Sequence, residues 1–438
     1  MFAYYFDLAL RSFRRNKALT VLMVLAIALG IGASMTTLTI FHVLSGDPIP
    51  QKSAQLFYVQ LDAATMDGYT AGEEPDDQMT RFDAEELLRQ KHGDRQAMMT
   101  GGSVAIEPQK EGLDPFYADT RYTSADFFAM FDTPFRYGHG WSGTEDANRA
   151  RVAVISSALN DKLFGGADST GKTVRFNGSD FQVVGVLDDW RPVPRFYDLN
   201  SNRYGEAEQA YVPFSTSRDL RMDRNGSMNC WESDSGSDDP EGETGVNAPC
   251  SWIQYWVELG SASEADRFRQ YLTNYSDQQR ASGRFERPTN VRLRNVMEWL
   301  DVNEAVPSDV RVQVWLSFGF LLVCLLNTVG LLLAKFMRRA SEIGVRRALG
   351  ASRRAIFAQC LVEAGTVGLA GGILGLGFAN LGLWAIRQQP TGFADILHLD
   401  MPMLLTTFGL AILASVLAGL LPAWHACQVA PAIQLKSQ

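Results

Sequence analysis

The chain has 438 residues, of which 46% are hydrophobic, and a formal net charge of −9 at pH 7, so its length allows two or three domains. The charge is divided unevenly: residues 47–310 contain 26 Lys and Arg against 44 Asp and Glu, whereas the rest contains 14 against 5. The acidic balance of residues 47–310 disfavours nucleic-acid binding there, because that function needs a basic surface.

Residues 1–17 are a basic segment that precedes a long apolar run. In a helix Tyr5, Leu8 and Phe13 would share one face, while the arginines would cluster on another. The segment is therefore predicted to lie along the inner membrane surface, with a flank that only fixes orientation as the alternative.

Four stretches of at least 23 residues contain no Asp, Glu, Lys or Arg: 18–44, 312–334, 364–386 and 401–424. At about 1.5 Å rise per residue, each can cross a hydrocarbon core of roughly 30 Å. The sequence therefore predicts four membrane-spanning helices. The first is predicted to be retained rather than cleaved as a signal peptide, because its 27 uncharged residues exceed the apolar core of such peptides.

The charges beside these runs predict the orientation. Basic residues are concentrated in residues 1–17 and 335–363, which places both segments in the cytoplasm by the positive-inside rule. Residues 45–311 are then outside, residues 387–400 form a short outer loop, and residues 425–438 are a cytoplasmic tail. The predicted location is a bacterial inner membrane with both termini inside.

The region outside the membrane has the pattern of an α/β domain. Strands are predicted at QLFYVQLDA, SVAIEP, WIQYWVELG and NVRLRNVMEWL (residues 290–300), with helices at DAEELLRQKHG and, after a Ser263 cap, SEADRFRQYLTNYSDQQ. Residues from about 115 to 250 contain further apolar strands and a helix. We interpret them as a subdomain inserted between two similar α/β pieces.

Cys230 and Cys250 flank an acidic, Gly- and Ser-rich loop of about 20 residues. Disulfides persist outside the cytoplasm, so the pair is predicted to be bonded, with two free thiols as the alternative. A zinc site is disfavoured because two further ligands are missing.

One stretch, Gly166-Ala-Asp-Ser-Thr-Gly171-Lys172-Thr173, matches the phosphate-loop pattern letter for letter. A working phosphate loop follows a strand and begins a helix. Here a predicted helix precedes the match and a predicted strand follows it, so the sequence favours a simple helix-to-strand turn.

An enzyme outside the membrane is the next alternative. Its candidate residues are acidic, basic, imidazole and hydroxyl side chains of the outer domain: Asp188, Asp189, Arg191, His92, His139, Ser156 and Ser157. None stands in a recognised catalytic or metal-binding spacing, so loops and helix caps are the favoured explanation.

The segment between the second and third apolar runs, residues 335–363, is called the basic hairpin below. Glu342 and Arg346 have the favourable i,i+4 order for an ion pair on a short helix. Gly350 is predicted to end that helix, and Ser352 to cap the next one. A positively charged turn that only fixes topology remains the alternative.

At these residues the chain resembles the permeases of MacB/FtsX-type ABC transporters, the mechanotransmission family. SEIGVRRALGASRRAIFAQCLVEA is similar to the family's cytoplasmic signature, and PAWHACQVAPAIQLKSQ to its closing segment. SADFFAMFDTPFRYGHGW, VAVISSALNDKLFG and GKTVRFNGSDFQVVGVL resemble its periplasmic core. The resemblance implies four transmembrane helices in a one-plus-three order, with a porter-like α/β domain and inserted subdomain between the first and second.

The resemblance also implies partners and a docking element. A coupling helix would dock on a separate cytoplasmic ABC ATPase through Glu342, Ile343, Gly344, Arg346, Arg347, Leu349, Gly350 and Arg353. Two permease chains would pair as a homo- or heterodimer in the lipid membrane, with a periplasmic adaptor as a further partner. ATP and Mg would be bound by the ATPase, and this chain would bind no cofactor or metal.

Three functions compete at this point. The leading one is the non-catalytic permease subunit of a MacB-like exporter of peptide, lipid-linked or hydrophobic drug-like substrates. The second is an FtsX-like regulator of a periplasmic cell-wall hydrolase, and the third is a membrane-anchored periplasmic enzyme.

Overall fold

A computed structural model describes the chain over residues 8, 12, 13, 17–109, 112–231, 241–389, 396–399 and 401–428. The chain divides into two compact units. The helical unit is Met1–Ser45 with Val306–Gln438, and the α/β unit is Gly46–Ala305.

The helices, in chain order, are α1 (Lys17–Ser45), α2 (Arg81–Gln90), α3 (Phe127–Met130), α4 (Gly143–Ala147), α5 (Ser157–Phe164), α6 (Phe214–Asp219), α7 (Ala262–Ala281), α8 (Val296–Val302), α9 (Ser308–Arg338), α10 (Ala340–Ala348), α11 (Arg353–Arg387) and α12 (Met401–Gln428). The strands are β1 (Leu56–Leu61), β2 (Met79–Thr80), β3 (Arg95–Ile106), β4 (Phe116–Thr123), β5 (Phe135–Gly138), β6 (Val152–Ile155), β7 (Thr173–Phe176), β8 (Ser179–Leu187), β9 (Ala210–Pro213), β10 (Arg224–Asn225), β11 (Asn229–Cys230), β12 (Cys250–Glu258) and β13 (Val291–Asn295).

Four helices, α1, α9, α11 and α12, are long and apolar enough to cross a membrane. Each contains one of the four uncharged runs, and α9 and α11 continue beyond their runs into the basic hairpin. The predicted fold class is confirmed: in chain order, one long helix comes before a large α/β domain and three come after it.

Glycines allow α11 to approach α1 closely. A Cβ at Gly371 would lie 2.7 Å from Cγ2 of Ile27, and one at Gly375 would lie 3.1 Å from the carbonyl oxygen of Ala28. Membrane helices have little hydrophobic drive to associate with one another, so close backbone packing of this kind carries much of their association. The small-residue face of the third span is thus a helix contact within the chain.

The α/β unit is built on a mixed sheet in the order β13-β1-β12-β3-β4-β9-β6-β8-β5. Neighbours along this path are antiparallel except β4 with β9 and β6 with β8. Alternate residues of β1 face two hydrophobic clusters: Phe57, Val59 and Leu61 one, Leu56 and Tyr58 the other. The sheet is therefore covered on both faces. Strands of the predicted insertion extend this sheet beyond β3.

Two sequence predictions about this unit are wrong in detail. The predicted strand at residues 290–300 stops at Asn295, where α8 begins. Asn295 and Glu298 form a capping box, in which each side chain accepts a 3.0 Å hydrogen bond from the other residue's backbone N–H, and this fixes a helix start. The long helix α7 is capped by Ser261 rather than Ser263.

Other local predictions are confirmed. Gly165 ends α5 in the left-handed conformation, and β7 starts at Thr173, so the phosphate-loop look-alike runs from a helix into a strand. Cys230 and Cys250 are directly opposite each other on β11 and β12 and form a disulfide. The loop residues 232–240 lie outside the described residues.

A buried charge network joins β4 to the segment that precedes β9. Arg121 on β4 is 1% exposed; its guanidinium donates hydrogen bonds to Glu208, with Nε 3.0 Å from Oε1, and to Asp198 Oδ2 at 2.5 Å. Burial would raise the pKa values of both carboxyls, but the charges of Arg121 and Arg195 outweigh it and hold them below their usual range. Both carboxyls are therefore ionised, and each depends on the buried arginines to remain so.

Replacing Arg121 with methionine should destabilise the α/β unit by about 3–5 kcal/mol at pH 7, because two buried carboxylates lose their partner. In the unchanged protein, carboxyls with lowered pKa values stabilise the fold above their unfolded pKa of about 4 and lose this as the pH falls through their folded values. Without Arg121 the two carboxyls can protonate in acid, so the deficit should shrink there. Tryptophan fluorescence during urea unfolding at pH 7 and 4.5 measures both effects.

The matched control is Arg136→Met, which removes an exposed 2.8 Å pair with Asp188. It should change the unfolding free energy by less than about 1 kcal/mol. Equal losses for the two variants would contradict the importance of the Arg121 network.

A second prediction concerns the glycine contacts. Gly371→Leu should destabilise the helical unit by about 1–3 kcal/mol, because its side chain would overlap Ile27. Gly377→Leu on the same helix should not, since a Cβ there meets nothing within 4 Å. Thermal unfolding of the detergent-purified chain compares the two, and a similar loss at both positions would refute the packing argument.

Candidate functional site

The basic hairpin consists of the adjoining ends of two long helices and a short helix between them. α9 ends at Arg338, α10 follows, and α11 starts at Arg353. Gly350 has φ of +100°, a conformation that side-chain-bearing residues rarely adopt, and it turns the chain after α10. Ser352 then caps α11 by accepting a 3.2 Å hydrogen bond from the N–H of Ala355. The predicted stop and cap are both confirmed.

Five of the eight predicted coupling residues are buried or half-buried. Arg346 Nη2 lies 3.1 Å from Glu342 Oε1, and Arg346 Nη1 donates a 3.1 Å hydrogen bond to Gln359 Oε1 on α11. Gly344 is buried and Ile343 is half-buried. The bond from Arg346 to Gln359 fastens α10 to α11. We call Glu342, Arg346 and Gln359 the brace.

The remaining three predicted residues lie at the surface. Leu349 is 83% exposed, and Gly350 and Arg353 are exposed beside it. Val345, 53% exposed, stands one helical turn before Leu349 and was missed by the sequence analysis, although their i,i+4 spacing was readable. We call Val345, Ala348, Leu349, Gly350 and Arg353 the exposed face of the hairpin.

Arg347 has a third position. Its Nη1 donates a 3.3 Å hydrogen bond to the carbonyl oxygen of Cys427, near the end of α12. Cys427 in turn approaches the carbonyl oxygen of Arg353, with Sγ at 3.5 Å. The hairpin is thereby attached to α12 as well as to the two helices it joins. Pro431 and Ala432 of the predicted closing segment lie outside the described residues.

A buried carboxylate lies at the end of the hairpin where α11 enters its uncharged run. Glu363 of α11 is 3% exposed; its Oε1 is 2.6 Å from Nζ of the fully buried Lys335 on α9, and its Oε2 is 3.1 Å from Nη1 of Arg339. Ser12 donates its hydroxyl to Glu363 and accepts a 3.1 Å hydrogen bond from Arg339. One carboxylate therefore joins α9, α11 and the segment that contains Ser12.

Arg339 connects this carboxylate to the brace. Its Nη2 lies 3.2 Å from Glu342 Oε1. Burial alone would lower the pKa of the Arg339 guanidinium, but the hydrogen bond to Glu342 and the charge of Glu363 raise it. Arg339 therefore stays charged. The sequence analysis missed the pairing of Lys335 with Glu363. The two residues lie on different helices, and whether they meet depends on how those helices pack.

The alternative enzyme residues are not gathered into a site. Asp188 pairs with Arg136, Ser156 caps α5, and His139 is exposed. In the part of the chain that the structure describes, no group of three or more His, Cys, Asp or Glu side chains is placed to hold a metal ion.

The sequence matches two family models. One is the MacB-like periplasmic core domain, over residues 20–275, and the other is the FtsX-like permease C-terminal domain, over residues 314–431. The chain belongs to the MacB/FtsX-type ABC transporter permeases. The basic hairpin lies within the second match, so its geometry is that of an FtsX-like permease domain, and the chain is a multi-pass membrane protein.

Curated relatives of this permease include export proteins that are named as combined ATP-binding/permease proteins. The pyoverdine export ATP-binding/permease protein PvdT of Pseudomonas entomophila is 25% identical over 350 residues, covering 77% of this chain and 45% of that protein. The macrolide export ATP-binding/permease protein MacB of Wolinella succinogenes is 21% identical over 437 residues, covering 98% and 60%. The chain thus spans about half the length of the curated relatives it matches.

Solved structures similar to the permease include the periplasmic region of MacB from Actinobacillus actinomycetemcomitans. It has 15% identity and a TM-score of 0.35, with 57% of this chain and 92% of that one covered. The extracellular domain of the noncanonic ABC-type transporter YknZ from Gram-positive bacteria has 13% identity and a TM-score of 0.34, with 55% and 100% covered.

The buried carboxylate of the permease yields a prediction. Glu363→Gln should destabilise the helical unit by about 3–5 kcal/mol, because it leaves Lys335 buried without a counter-charge. Changing both Lys335 and Glu363 to leucine should recover most of that loss, since no unpaired buried charge is left between them. Thermal unfolding in detergent measures both variants, and a double variant as unstable as Glu363→Gln would contradict the pairing.

Proposed function

We propose that this chain is the permease subunit of an ATP-driven exporter. In this proposal the exposed face of the basic hairpin receives movement from a separate cytoplasmic ABC ATPase, and the helices pass it to residues 45–311 on the other side of an inner membrane. ATP and Mg²⁺ bind to the ATPase, and this chain acts without a cofactor or catalysis of its own. Two permease chains work together, with a periplasmic adaptor as a further partner.

The observation that carries the proposal is the exposed face itself. Val345 and Leu349 present large apolar side chains to water, one turn apart, and Arg353, four residues after Leu349, is also exposed. An apolar anchor rimmed by arginine is typical of an interface, where such residues dominate the binding energy. A turn that only fixed topology would need the arginines but not an 83% exposed leucine.

The rigidity of the hairpin supports a mechanical role. Next to the exposed face, Arg346 bonds both to Glu342 on α10 and to Gln359 on α11. α9 and α11 run from this layer as uninterrupted helices of 31 and 35 residues. A push on the exposed face therefore moves whole helices rather than a loose loop.

The chain connections at the far end also support it. α1 ends at Ser45 and the α/β unit begins at Gly46; that unit ends at Ala305 and α9 begins at Ser308. Such short connections leave little slack in which movement of the helices could be lost. The names of the relatives, which export pyoverdine and macrolides, favour a peptide-like or hydrophobic drug-like substrate taken up outside the membrane span.

Val345→Asp and Leu349→Asp test the docking. Each should weaken binding of the partner ABC ATPase by about tenfold or more, because an anchor buried on docking is replaced by a charge. The thermal unfolding midpoint of the permease should not change, since both side chains are exposed. Co-purification of the ATPase and ATP-dependent export are the measurements.

Two controls separate docking from folding. Leu349→Met keeps an apolar anchor and should bind normally, whereas Glu342→Ala should lower the unfolding midpoint because it removes the brace. If the ATPase binds both aspartate variants as tightly as the unchanged chain, the exposed face is not the docking site and the proposal fails.

A further inference from the structure

A cavity of about 190 Å³ lies in the α/β unit, where α5, β7 and the end of β3 meet. Its lining includes the buried side chains of Ile106, Leu163 and Val174 and the half-buried Pro108 and Phe164. Protein interiors are close-packed, and a core side chain that borders an open space loses contacts on that side. The cavity therefore leaves apolar surface available to a ligand.

The volume of the cavity limits the ligand to a small apolar group. A dry apolar cavity of about 150 Å³ accommodates one benzene molecule. The cavity in the α/β unit is somewhat larger, at about 190 Å³, so it has room for one aromatic ring and the carbons that link it to a polar group. Sites for whole drug-sized molecules occupy about 300 Å³ or more.

The mouth of the cavity is polar but neutral. The remaining lining residues are all exposed: Glu107, Gln109, Thr173 and Arg175. Arg175 Nε lies 3.1 Å from Glu107 Oε2, so these two charges neutralise each other. Among the described residues, the lining itself therefore has no net charge.

Two lysines lie on aromatic rings beside the cavity. Lys172 Nζ is 5.1 Å from the ring centroid of Phe164, which lines the cavity. Lys162 Nζ is 3.1 Å from the ring centroid of Phe116, the strand partner of Ile106. Neither lysine forms an ion pair with any residue in the described part of the chain. An aromatic face attracts a cation without neutralising it, so both positive charges remain available to an anion.

One of these lysines belongs to the phosphate-loop look-alike. Lys172 and Thr173 are the last two residues of that stretch. The acid of the same stretch, Asp168, is engaged elsewhere: its Oδ1 accepts hydrogen bonds from the N–H of Thr170 at 2.9 Å and from its hydroxyl at 2.8 Å. The turn thus keeps its carboxylate to itself and leaves its ammonium group beside the cavity.

We propose that this cavity binds a small apolar carboxylate, with the apolar group inside and the carboxylate beside Lys162 and Lys172. Burial of the apolar group supplies the driving force, and a few charged groups at the mouth set the orientation. Two sources share this chemistry: a short fatty acid, and the carboxyl end of a peptide whose last residue is apolar. The inference goes beyond the proposed function, because it requires neither the ATPase nor a movement of the helices.

Binding of phenylpropanoate tests the site. The full-length chain in lipid nanodiscs is titrated in a calorimeter, with empty nanodiscs as the blank. A ligand of this size should bind with a dissociation constant of about 0.1–1 mM. The neutral phenylpropanol should bind at least about threefold more weakly, because it lacks the charge. Equal binding of the two ligands, or no binding of phenylpropanoate above the blank, would overturn the proposal.

A tryptophan at the mouth tests the location. Thr173→Trp should weaken phenylpropanoate binding by about tenfold or more, because the larger side chain occupies the cavity. The matched control is Thr144→Trp, at an exposed position on α4 outside the cavity lining, which should bind normally. Both positions are exposed, so the unfolding midpoint without ligand should stay unchanged in each variant. Equally tight binding by the two variants would show that the ligand lies elsewhere.

Charge changes of opposite sign test the orientation. Lys162→Met and Lys172→Met should each weaken phenylpropanoate binding about twofold to fivefold and leave phenylpropanol binding unchanged. Glu107→Gln should instead strengthen phenylpropanoate binding by about twofold, because Arg175 loses its counter-charge at the mouth. If all three variants bind phenylpropanoate like the unchanged chain, the cations play no part and the proposed orientation is wrong.

Two further ligands distinguish the sources. Octanoate represents a fatty acid, and N-acetyl-alanyl-phenylalanine represents a peptide end, with its carboxamide as the control. Tighter binding of octanoate would assign the site to fatty acids, and tighter binding of the free peptide acid would assign it to peptides. A carboxamide that binds as tightly as the acid would refute the need for a carboxylate. Leu349→Asp, in the helical unit, should leave all these affinities unchanged, so a failure of ATPase docking would not bear on the cavity.

Discussion

Hydrocarbon offers no hydrogen-bond partners and little shielding of charge, and the helical unit is arranged around this constraint. Its four long helices satisfy their own backbone groups, which is why charge-free runs become uninterrupted helices. Where charge does enter, it is neutralised at once: Glu363 meets Lys335 and Arg339 immediately below the uncharged run.

The α/β unit also contains buried charges that are paired. Among them, Arg121 and Arg195 balance Asp198 and Glu208. Arg121 lies on β4 and the other three groups lie in the segment before β9, so the network fixes how these two parts of the chain face each other. A purely apolar core would hold the sheet together without specifying that arrangement so narrowly.

The sequence was sufficient where the signal is local. The absence of charge over more than 20 residues, the Gly350 stop and the Ser352 cap depend on near neighbours, and they lead directly to the spans and the hairpin. The Asn295–Glu298 capping box was equally local but was hidden by a strand-like run of apolar residues. Arg121 could not be assigned, because its partners lie 77 and 87 residues away and are brought together only by the sheet. Likewise, which coupling residues brace the hairpin and which are exposed depends on how α10 rotates against α11.

The attachment of Arg347 to Cys427 gives the hairpin a third support. α10 is joined to α9 through the single residue Arg339. It is tied to α11 by the pairs Arg339–Glu363 and Arg346–Gln359, and to the end of α12 by Arg347. A platform held at two points can still swing about the line between them; one held at three points that are not in line cannot. The tip of the hairpin is therefore held by three helices. A torque applied there is shared among α9, α11 and α12 instead of being lost as a rocking of the tip.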